Sequence, residues 1–294
     1  MSDDREPLFL GVDAGGSHCR SRLVDSRGGL IAAAEAGPAN ARIGVELLRD
    51  ALVDVASRTI AAAGLPPDAI RRTRAGIGIA GISRTGVRAA LDQIDMPFRS
   101  VRFETDALIA NLGAHRGADG AILIIGTGSI AYAKVGETSF TIGGYGFPIS
   151  DEGSGAALGL SAMRHALRAL DGRSHRTPLS IAVAERFGHD TARAIAWMDQ
   201  ATPRDYASFA PLVMEHAEAD DMIARSIVED AALHIERFIE TIHARGAPRC
   251  ALAGGLSARL RPWLRARTVE SLVEPLGDPL DGALLLAGLK ADQP

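Results

Sequence analysis

Cysteine is scarce in this chain of 294 residues, which contains only Cys19 and Cys250. A disulfide framework needs more cysteines than these two, and neither has the nearby partners that a zinc site requires. Both lie in or beside apolar runs. We therefore expect reduced thiols, as is typical of a cytosolic protein.

An excess of positive charge and long apolar stretches are also absent. The 32 Lys and Arg residues are outnumbered by 36 Asp and Glu residues, which gives a net charge of −4. No cationic surplus exists to displace counterions from a nucleic acid. No apolar run approaches the length of a membrane span, and residues 1–7 lack a signal-peptide pattern. We expect a cytoplasmic protein without nucleic-acid or membrane partners.

One pattern of strands and turns occurs twice. An apolar run at 8–12 ends in Asp13-Ala14-Gly15-Gly16-Ser17, and extended segments follow at 19–24 and 30–36. A helical pattern over 44–63, strand candidates at 75–80 and 101–104, and a helix from Asp106 complete the first set. The order begins again at 121–125, which ends in Gly126-Thr127-Gly128-Ser129, and continues at 130–135 and 139–142. This order predicts an α/β fold built from a duplicated βββαβα module.

The second repeat differs from the first in its helical content. Helical spacing dominates from about 156 to 245, before a late strand at 249–253 that ends in Gly254-Gly255. We therefore predict two lobes, 1–115 and 116–280, with the helical additions inserted in the second. A last helix, at about 281–294, could pack back on the first lobe.

The two glycine-rich turns suit phosphate binding. Glycine lets the backbone approach an anion closely, so that N–H groups can point at it. Asp13 stands at the end of a strand, where a carboxylate can hold Mg²⁺, usually through water. Neither turn has the spacing of a Walker loop or a Rossmann fingerprint. Each alone is equally compatible with a tight hairpin, and their recurrence favours a pair that faces one phosphate-bearing ligand.

Acidic and aromatic residues are concentrated in the loop from Gly143 to Gly155. Carboxylates accept hydrogen bonds from sugar hydroxyls, and aromatic rings pack on the CH faces of a sugar, so the loop favours a sugar site. Asp106 begins a helix, where it could either be an N-cap or first-turn acid favoured by the helix dipole or accept the proton of a substrate hydroxyl. Asn40 and Gly254-Gly255 are typical turn residues.

Together these motifs resemble the actin-like sugar kinase superfamily, and more closely the BadF/BadG/BcrA/BcrD-type ATPase family that includes N-acetylglucosamine kinase. The similar segments follow in the family's order: GVDAGGSHCR, ETDA, IIGTGS, GGYGFPISDEGSG and LAGGLS. The stretches FPISDEGSG, HDTARAIAW and ATPRDYASFAP resemble the bacterial glucosamine kinase branch. The resemblance implies a two-lobed actin-like (ribonuclease H-like) ATPase fold. It is also compatible with a homodimer, because related kinases often pair.

The resemblance further implies that ATP and Mg²⁺ are used to phosphorylate the 6-hydroxyl of glucosamine. Asp106 would be the general base, and Asp13 would lie near Mg²⁺. Sugar contacts would come from Asn40, Gly144, Tyr145 and Asp151, with Asp151 or Glu152 beside a protonated amine. ATP contacts would come from Gly15, Gly16, Ser17, Thr127, Gly128, Gly254 and Gly255, with the segment 209–211 near the adenosine.

Other functions share parts of this pattern. N-acetylglucosamine kinase has the same mechanism, but those enzymes carry tryptophan where this chain has Tyr145. Many relatives carry threonine where this chain has Ser17. ATPase activators of dehydratases hold an iron–sulfur cluster through paired central cysteines, and this chain has no cysteine between Cys19 and Cys250. A nucleotide-gated interaction protein is a further alternative, but Asp151 and Glu152 of the sugar loop would have no role in it.

Overall fold

The computed structural model describes residues 6–16 and 18–290. The chain divides into two compact units. The first unit takes the residues up to Asp119 and those from Glu274 onward, and the second is Gly120–Val273. Each unit has its own five-stranded sheet.

The sheet of the first unit has the order β3-β2-β1-β4-β5. Its strands are β1 (Leu8–Ala14), β2 (Cys19–Val24), β3 (Leu30–Ala36), β4 (Thr73–Ile79) and β5 (Ser100–Thr105). Short turns join β1, β2 and β3 into antiparallel pairs, whereas β1, β4 and β5 are parallel. The carboxyl ends of β1, β4 and β5 therefore lie at one edge, where ligands commonly bind in open α/β sheets.

In the described part of this unit the sheet is accompanied by the α-helices α1 (Val45–Ala62), α2 (Val87–Asp92), α3 (Asp106–His115) and α12 (Pro279–Leu286). Short 3₁₀ turns lie at Ala41–Ile43 and Pro67–Arg72. The apolar face of α1 buries Leu48, Leu52 and Val55, whose spacing is that of one helix face. Helix α12 packs so tightly on α3 that a Cβ on Gly282 would lie 1.8 Å from the carbonyl oxygen of Ile109.

The sheet of the second unit repeats the first topology in the order β10-β9-β6-β7-β8. Its strands are β6 (Gly120–Ile125), β7 (Ser129–Val135), β8 (Thr138–Gly143), β9 (Cys250–Ala253) and β10 (Leu272–Val273). Again three strands form antiparallel pairs, while β9 and β10 add in parallel beside β6. The duplicated module predicted from the sequence is thereby confirmed.

The second unit carries most of the helices. These are α4 (Gly155–Leu170), α5 (Pro178–Glu185), α6 (Thr191–Met198), α7 (Pro203–Ala207), α8 (Ala210–Glu218), α9 (Met222–Ala244), α10 (Ser257–Leu260) and α11 (Ala266–Glu270), with a 3₁₀ turn at Arg261–Trp263. Apolar spacing predicts one helix over 206–217, and this prediction is wrong because α7 and α8 are separate. Pro211 has no N–H to bond the carbonyl oxygen of Ala207, so α7 does not continue, and α8 begins at Ala210 with this proline in its first turn.

The sequence predicts that no segment is long and apolar enough to span a membrane. Among residues 6–16 and 18–290, no helix combines the length and the apolar character needed to cross a membrane.

Candidate active site

The first glycine-rich turn joins β1 to β2. Asp13 stands opposite Arg20 in the hairpin, and its Oδ2 accepts a hydrogen bond of 2.7 Å from the Arg20 guanidinium. The N–H of Gly15 donates to the carbonyl oxygen of His18 at 3.0 Å, which closes the turn. Ser17, a predicted ATP contact, lies outside the described residues. Arg20 therefore fixes the Asp13 carboxylate at the sheet edge through one of its two oxygens.

The arrangement at Asp13 suits Mg²⁺, which needs few protein ligands, better than it suits a metal ion that is held by protein side chains alone. Within the described ranges, 6–16 and 18–290, no group of three or more His, Cys, Asp or Glu side chains could hold a metal ion. Mg²⁺ is commonly bound by one or two carboxylates together with water and substrate phosphates. A single strand-end carboxylate beside a glycine turn fits that mode.

Asn40 lies beside the first turn. The N–H of Ala39 donates to the carbonyl oxygen of Gly15 at 3.1 Å, which ties the loop after β3 to this turn. Asn40 Oδ1 accepts from the N–H of Arg42 at 2.9 Å, so the amide oxygen caps the following 3₁₀ turn. A Cβ on Gly16 would lie 3.9 Å from Asn40 Nδ2. The amide oxygen of Asn40 is therefore used in capping, whereas its NH₂ group lies next to Gly16.

The loop that follows β4 joins the same edge, and sequence reasoning missed it. The N–H of Ala80 donates to the carbonyl oxygen of Ala14 at 3.0 Å, and the N–H of Ala41 donates to that of Ala80 at 3.1 Å. The loop continues to Arg84, whose side chain is exposed. Its position after a buried parallel strand was the signal that could have identified it.

Asp106 stands at the carboxyl end of β5 as the first residue of α3. The helix is capped by Thr105, whose hydroxyl accepts from the N–H of Leu108 at 3.0 Å. Asp106 Oδ1 accepts from the N–H of Ala107 at 3.0 Å. Thr105 occupies the cap position that the sequence left open to Asp106. Asp106 is therefore not the N-cap but a first-turn acid of α3, a position that the helix dipole favours.

The electrostatic surroundings of Asp106 favour a base. Burial raises the pKa of its carboxyl above the usual aspartate range, and the negative charge of Asp13 raises it further, against the hydrogen bond from Ala107. Among residues 6–16 and 18–290, no cation forms an ion pair with Asp106. A raised pKa increases the proton affinity of a carboxylate, which is the property that a general base requires.

The second glycine-rich turn joins β6 to β7 and is bonded to the start of α4. The N–H of Gly126 donates to the carbonyl oxygen of Gly128 at 2.9 Å. The N–H groups of Gly155 and Ala156 donate to the carbonyl oxygens of Gly126 and Thr127, at 2.8 and 3.1 Å. The first residues of helix α4 therefore hold the backbone of this turn in place. Thr127 itself is exposed.

Asp151 contacts this second turn directly. It is buried and adopts a left-handed φ of 69°. Its Oδ1 accepts from the N–H of Ser129 at 3.4 Å, and a Cβ on Gly128 would lie 2.9 Å from its Oδ2. Burial raises the pKa of Asp151, aided by the charge of Glu152 and opposed by backbone N–H groups of Ser129 and Phe147. A larger residue at 128 would require this carboxylate to shift.

Tyr145 and Glu152 line a different space from Asp151. They border a cavity of about 310 Å³ whose far wall is helix α9, at His234 and Arg237. The Tyr145 ring is 83% exposed. The predicted sugar residues of this loop are thus divided, because Asp151 turns toward Gly128 instead of lining this cavity. Position 144 requires glycine, because its φ is 72° and because a Cβ there would lie 2.7 Å from Ile130 Cδ1.

The Gly254-Gly255 turn lies beside the second glycine-rich turn. Strands β6 and β9 are parallel with Ile124 opposite Ala253, so both turns leave the sheet at the same edge. Pro211 is close to the helix after Gly255, since its carbonyl oxygen accepts from Arg259 at 3.4 Å. The Phe209 ring, by contrast, is buried among the aromatic rings of the second unit's core.

The two glycines of this turn provide a matched test. Gly254 has a φ of 92°, and a Cβ there would lie 2.3 Å from the carbonyl oxygen of Ile125. We expect Gly254→Ala to lower the free energy of unfolding by about 1–3 kcal/mol, because of backbone strain and overlap. Gly255→Ala meets no atom within 4 Å and should change it by less than about 0.5 kcal/mol. Denaturant unfolding of both variants would measure this, and equal losses would contradict it.

Comparison with known proteins identifies the family. The profile of the BadF/BadG/BcrA/BcrD ATPases matches residues 10–287. The chain belongs to the BadF/BadG/BcrA/BcrD ATPase family. Among relatives of this family member, glucosamine kinase GspK of Vibrio cholerae is 38% identical over 280 residues, which cover 95% of each chain.

Solved structures agree with this assignment. A protein of Chromobacterium violaceum, described as a candidate N-acetylglucosamine kinase, is 34% identical, with a TM-score of 0.88 over 96% of this chain and 99% of that chain. The ROK hexokinase of Thermus thermophilus is 18% identical and shares the fold, with a TM-score of 0.55 over 95% and 98% of the two chains. The predicted family and the actin-like α/β fold are confirmed, and membership of this ATPase family indicates the use of ATP.

Proposed function

We propose that this family member transfers the γ-phosphoryl group of Mg²⁺-ATP to the 6-hydroxyl of free glucosamine, giving glucosamine 6-phosphate and ADP. The coarser activity, amino-sugar kinase, follows from relatives that are named as such. The observation that carries the choice of glucosamine is the 38% identity to a glucosamine kinase over 95% of both chains.

Asp106 is the proposed general base. As the hydroxyl oxygen bonds to the γ-phosphorus, the bond from that phosphorus to the oxygen of ADP breaks, and Asp106 accepts the hydroxyl proton. Its raised pKa supports this role, and Thr105, not Asp106, is the N-cap of α3. Mg²⁺ beside Asp13 would neutralise charge on the β- and γ-phosphates when it is bound.

Backbone N–H groups and glycine-lined space support the proposed nucleotide contacts. Gly15 and Gly16, with Ser17, would contact phosphate in the first unit, and Thr127 and Gly128 would do so in the second. Gly254 and Gly255 would border the adenosine. The turns are closed by hydrogen bonds within each unit, so their backbones are fixed before the anion binds. The N–H groups of Gly15 and Gly126 are used in closing the turns, so the proposed phosphate donors are the N–H groups of Gly16, Ser17, Thr127 and Gly128. Donors fixed before binding stabilise developing charge without a cost of reorganisation.

The sugar is proposed to contact Asn40, Gly144, Tyr145, Asp151 and Glu152. The Asp151 carboxylate is already bonded to backbone N–H groups, whereas Glu152 lines the cavity beside Tyr145. Of the two acids, Glu152 is therefore the better candidate for an ammonium group at the 2-position, and Asp151 for sugar hydroxyls.

N-acetylglucosamine is the second candidate substrate, favoured by the description of the Chromobacterium violaceum protein. An ADP-release assay with glucosamine, N-acetylglucosamine, glucose and no sugar separates the candidates. We expect the highest kcat/KM with glucosamine and little ADP release without sugar. A mock purification from cells that do not express the protein is the blank for contaminating kinases.

Two outcomes of this assay would overturn the proposal at different levels. A preference for N-acetylglucosamine would replace the substrate and leave the kinase mechanism. Equal ADP release with and without sugar would instead indicate an ATPase that is not a sugar kinase.

A further inference from the structure

A second cavity, of about 550 Å³, lies in the first unit. It is bordered by the β2–β3 turn at Arg27 and Gly28, by Arg116 at the end of α3, and by Leu289 and Lys290 after α12. The β2–β3 turn adjoins the start of β1, because Val24 pairs with Phe9. Gly15 follows the other end of this strand, so about 20 Å separates the cavity from the first glycine-rich turn.

Three exposed cations border this cavity. Arg27, Arg116 and Lys290 are exposed, and no ion pair joins them to any residue in the described ranges 6–16 and 18–290. The fourth cation, Arg22, is held by Asp278 and Asp281 at 2.6 and 2.5 Å. Arg22, Asp278 and Asp281 together carry one net negative charge. Because Arg27, Arg116 and Lys290 add three positive charges, the cavity keeps an excess of positive charge.

The wall between α12 and the sheet is apolar. Val24 and Leu284 are nearly inaccessible to solvent, and Leu285 and Leu289 are partly buried beside them. Leu30, by contrast, is 68% exposed at the rim. Apolar walls with a few convergent charged groups are typical of small-molecule sites. A bare inorganic anion would use the cations and leave the partly exposed Leu285, Leu289 and Leu30 uncovered.

We propose that this cavity is a binding site for a small organic phosphate whose dianion lies among Arg27, Arg116 and Lys290. The apolar or ring-shaped body of the ligand would pack on the leucines of α12. Guanidinium groups bind phosphate through paired hydrogen bonds, and the ammonium group adds a point charge. The site is separate from the proposed sugar kinase site and does not depend on it.

Phenyl phosphate is a suitable probe, since it joins a dianion to an apolar ring. Calorimetric titration should show saturable binding that weakens as salt is added, because exposed charges are screened. The double variant Arg27→Gln/Lys290→Gln should bind about tenfold more weakly or worse, as expected for the loss of two charge-assisted contacts. The control Arg71→Gln/Arg102→Gln also removes two exposed arginines of the first unit, but away from the cavity, and should match the wild type.

The rim of the cavity has its own test. Leu30→Glu places a negative charge at the exposed rim without disturbing the core, and it should abolish binding of phenyl phosphate. Phenol and inorganic phosphate, which each lack one half of the probe, should bind more weakly than phenyl phosphate. The proposal is overturned if the wild type shows no saturable binding. It is also overturned if the cavity variants and the control pair bind with equal affinity, which would assign the phosphate to another site.

Discussion

Replacing Asp106 by Asn is expected to lower kcat by about 10²-fold or more, the usual scale for loss of a general base. The amide has the size of the carboxyl group but cannot take up the hydroxyl proton. The start of α3 should be unaffected, because Thr105 provides the cap. Steady-state kinetics of the purified variant would measure the loss. Glu46→Gln, which changes an exposed first-turn acid of α1, is the control and should keep normal turnover.

The same substitution is expected to stabilise the protein at neutral pH. A group whose pKa is raised by folding contributes stability below its unfolded pKa, and this contribution is lost as pH rises through the folded pKa. The pKa of Asp106 is raised, mainly by burial, so its ionised form disfavours the folded state at neutral pH. The neutral amide removes this penalty. Denaturant unfolding should show a higher free energy of unfolding for Asp106→Asn.

The pair of measurements separates catalysis from structure. Lost turnover together with retained or increased stability is the result expected for a catalytic base. Near-normal kcat would remove Asp106 from that role. A parallel loss of kcat and of the free energy of unfolding would indicate a structural residue instead.

Asp151→Asn is expected to lower kcat/KM for glucosamine by about 10- to 100-fold, as for the loss of a charged hydrogen-bond acceptor. Asparagine tolerates the left-handed φ of 69° and keeps an oxygen for the N–H of Ser129. The backbone should therefore be preserved, and the KM for ATP should change little. Varying each substrate in turn would measure both effects, with the exposed Asp199→Asn as the control.

Asp151 also contacts the second glycine-rich turn, so a purely structural role at that turn is the alternative to a sugar contact. A Cβ on Gly128 would lie 2.9 Å from its Oδ2. If Asp151 acted only by shaping that turn, its replacement would raise the KM for ATP and leave the dependence on glucosamine unchanged. That result would remove Asp151 from the sugar contacts.

Local patterns were sufficient to predict most of the strands, but not the two-residue β10. The strand pairs around Gly15 and Gly126 follow from short apolar runs that end at glycine-rich turns, and the structure has both hairpins. The start of α3 at Asp106 was likewise predicted, because a change in apolar spacing marks it. These features depend on neighbours in sequence, where turn chemistry and periodicity act directly.

Features that depend on distant contacts could not be predicted. Nothing near Gly113 or Gly282 in sequence indicates that α3 and α12 pack too closely for a Cβ. The division of the sugar loop, with Asp151 against Gly128 and Tyr145 beside α9, depends on contacts between separate elements. The cap provided by Thr105 was predictable in principle, since threonine before a helix is a strong N-cap signal.

Phosphorus and carbon NMR of the reaction product is the most direct test of the proposed activity. With glucosamine and Mg²⁺-ATP we expect one phosphomonoester, coupled to carbon 6 of the sugar, with the amine unmodified and one ADP formed per sugar phosphorylated. A product phosphorylated at the anomeric carbon, or inorganic phosphate in place of a sugar phosphate, would contradict transfer to the 6-hydroxyl of glucosamine.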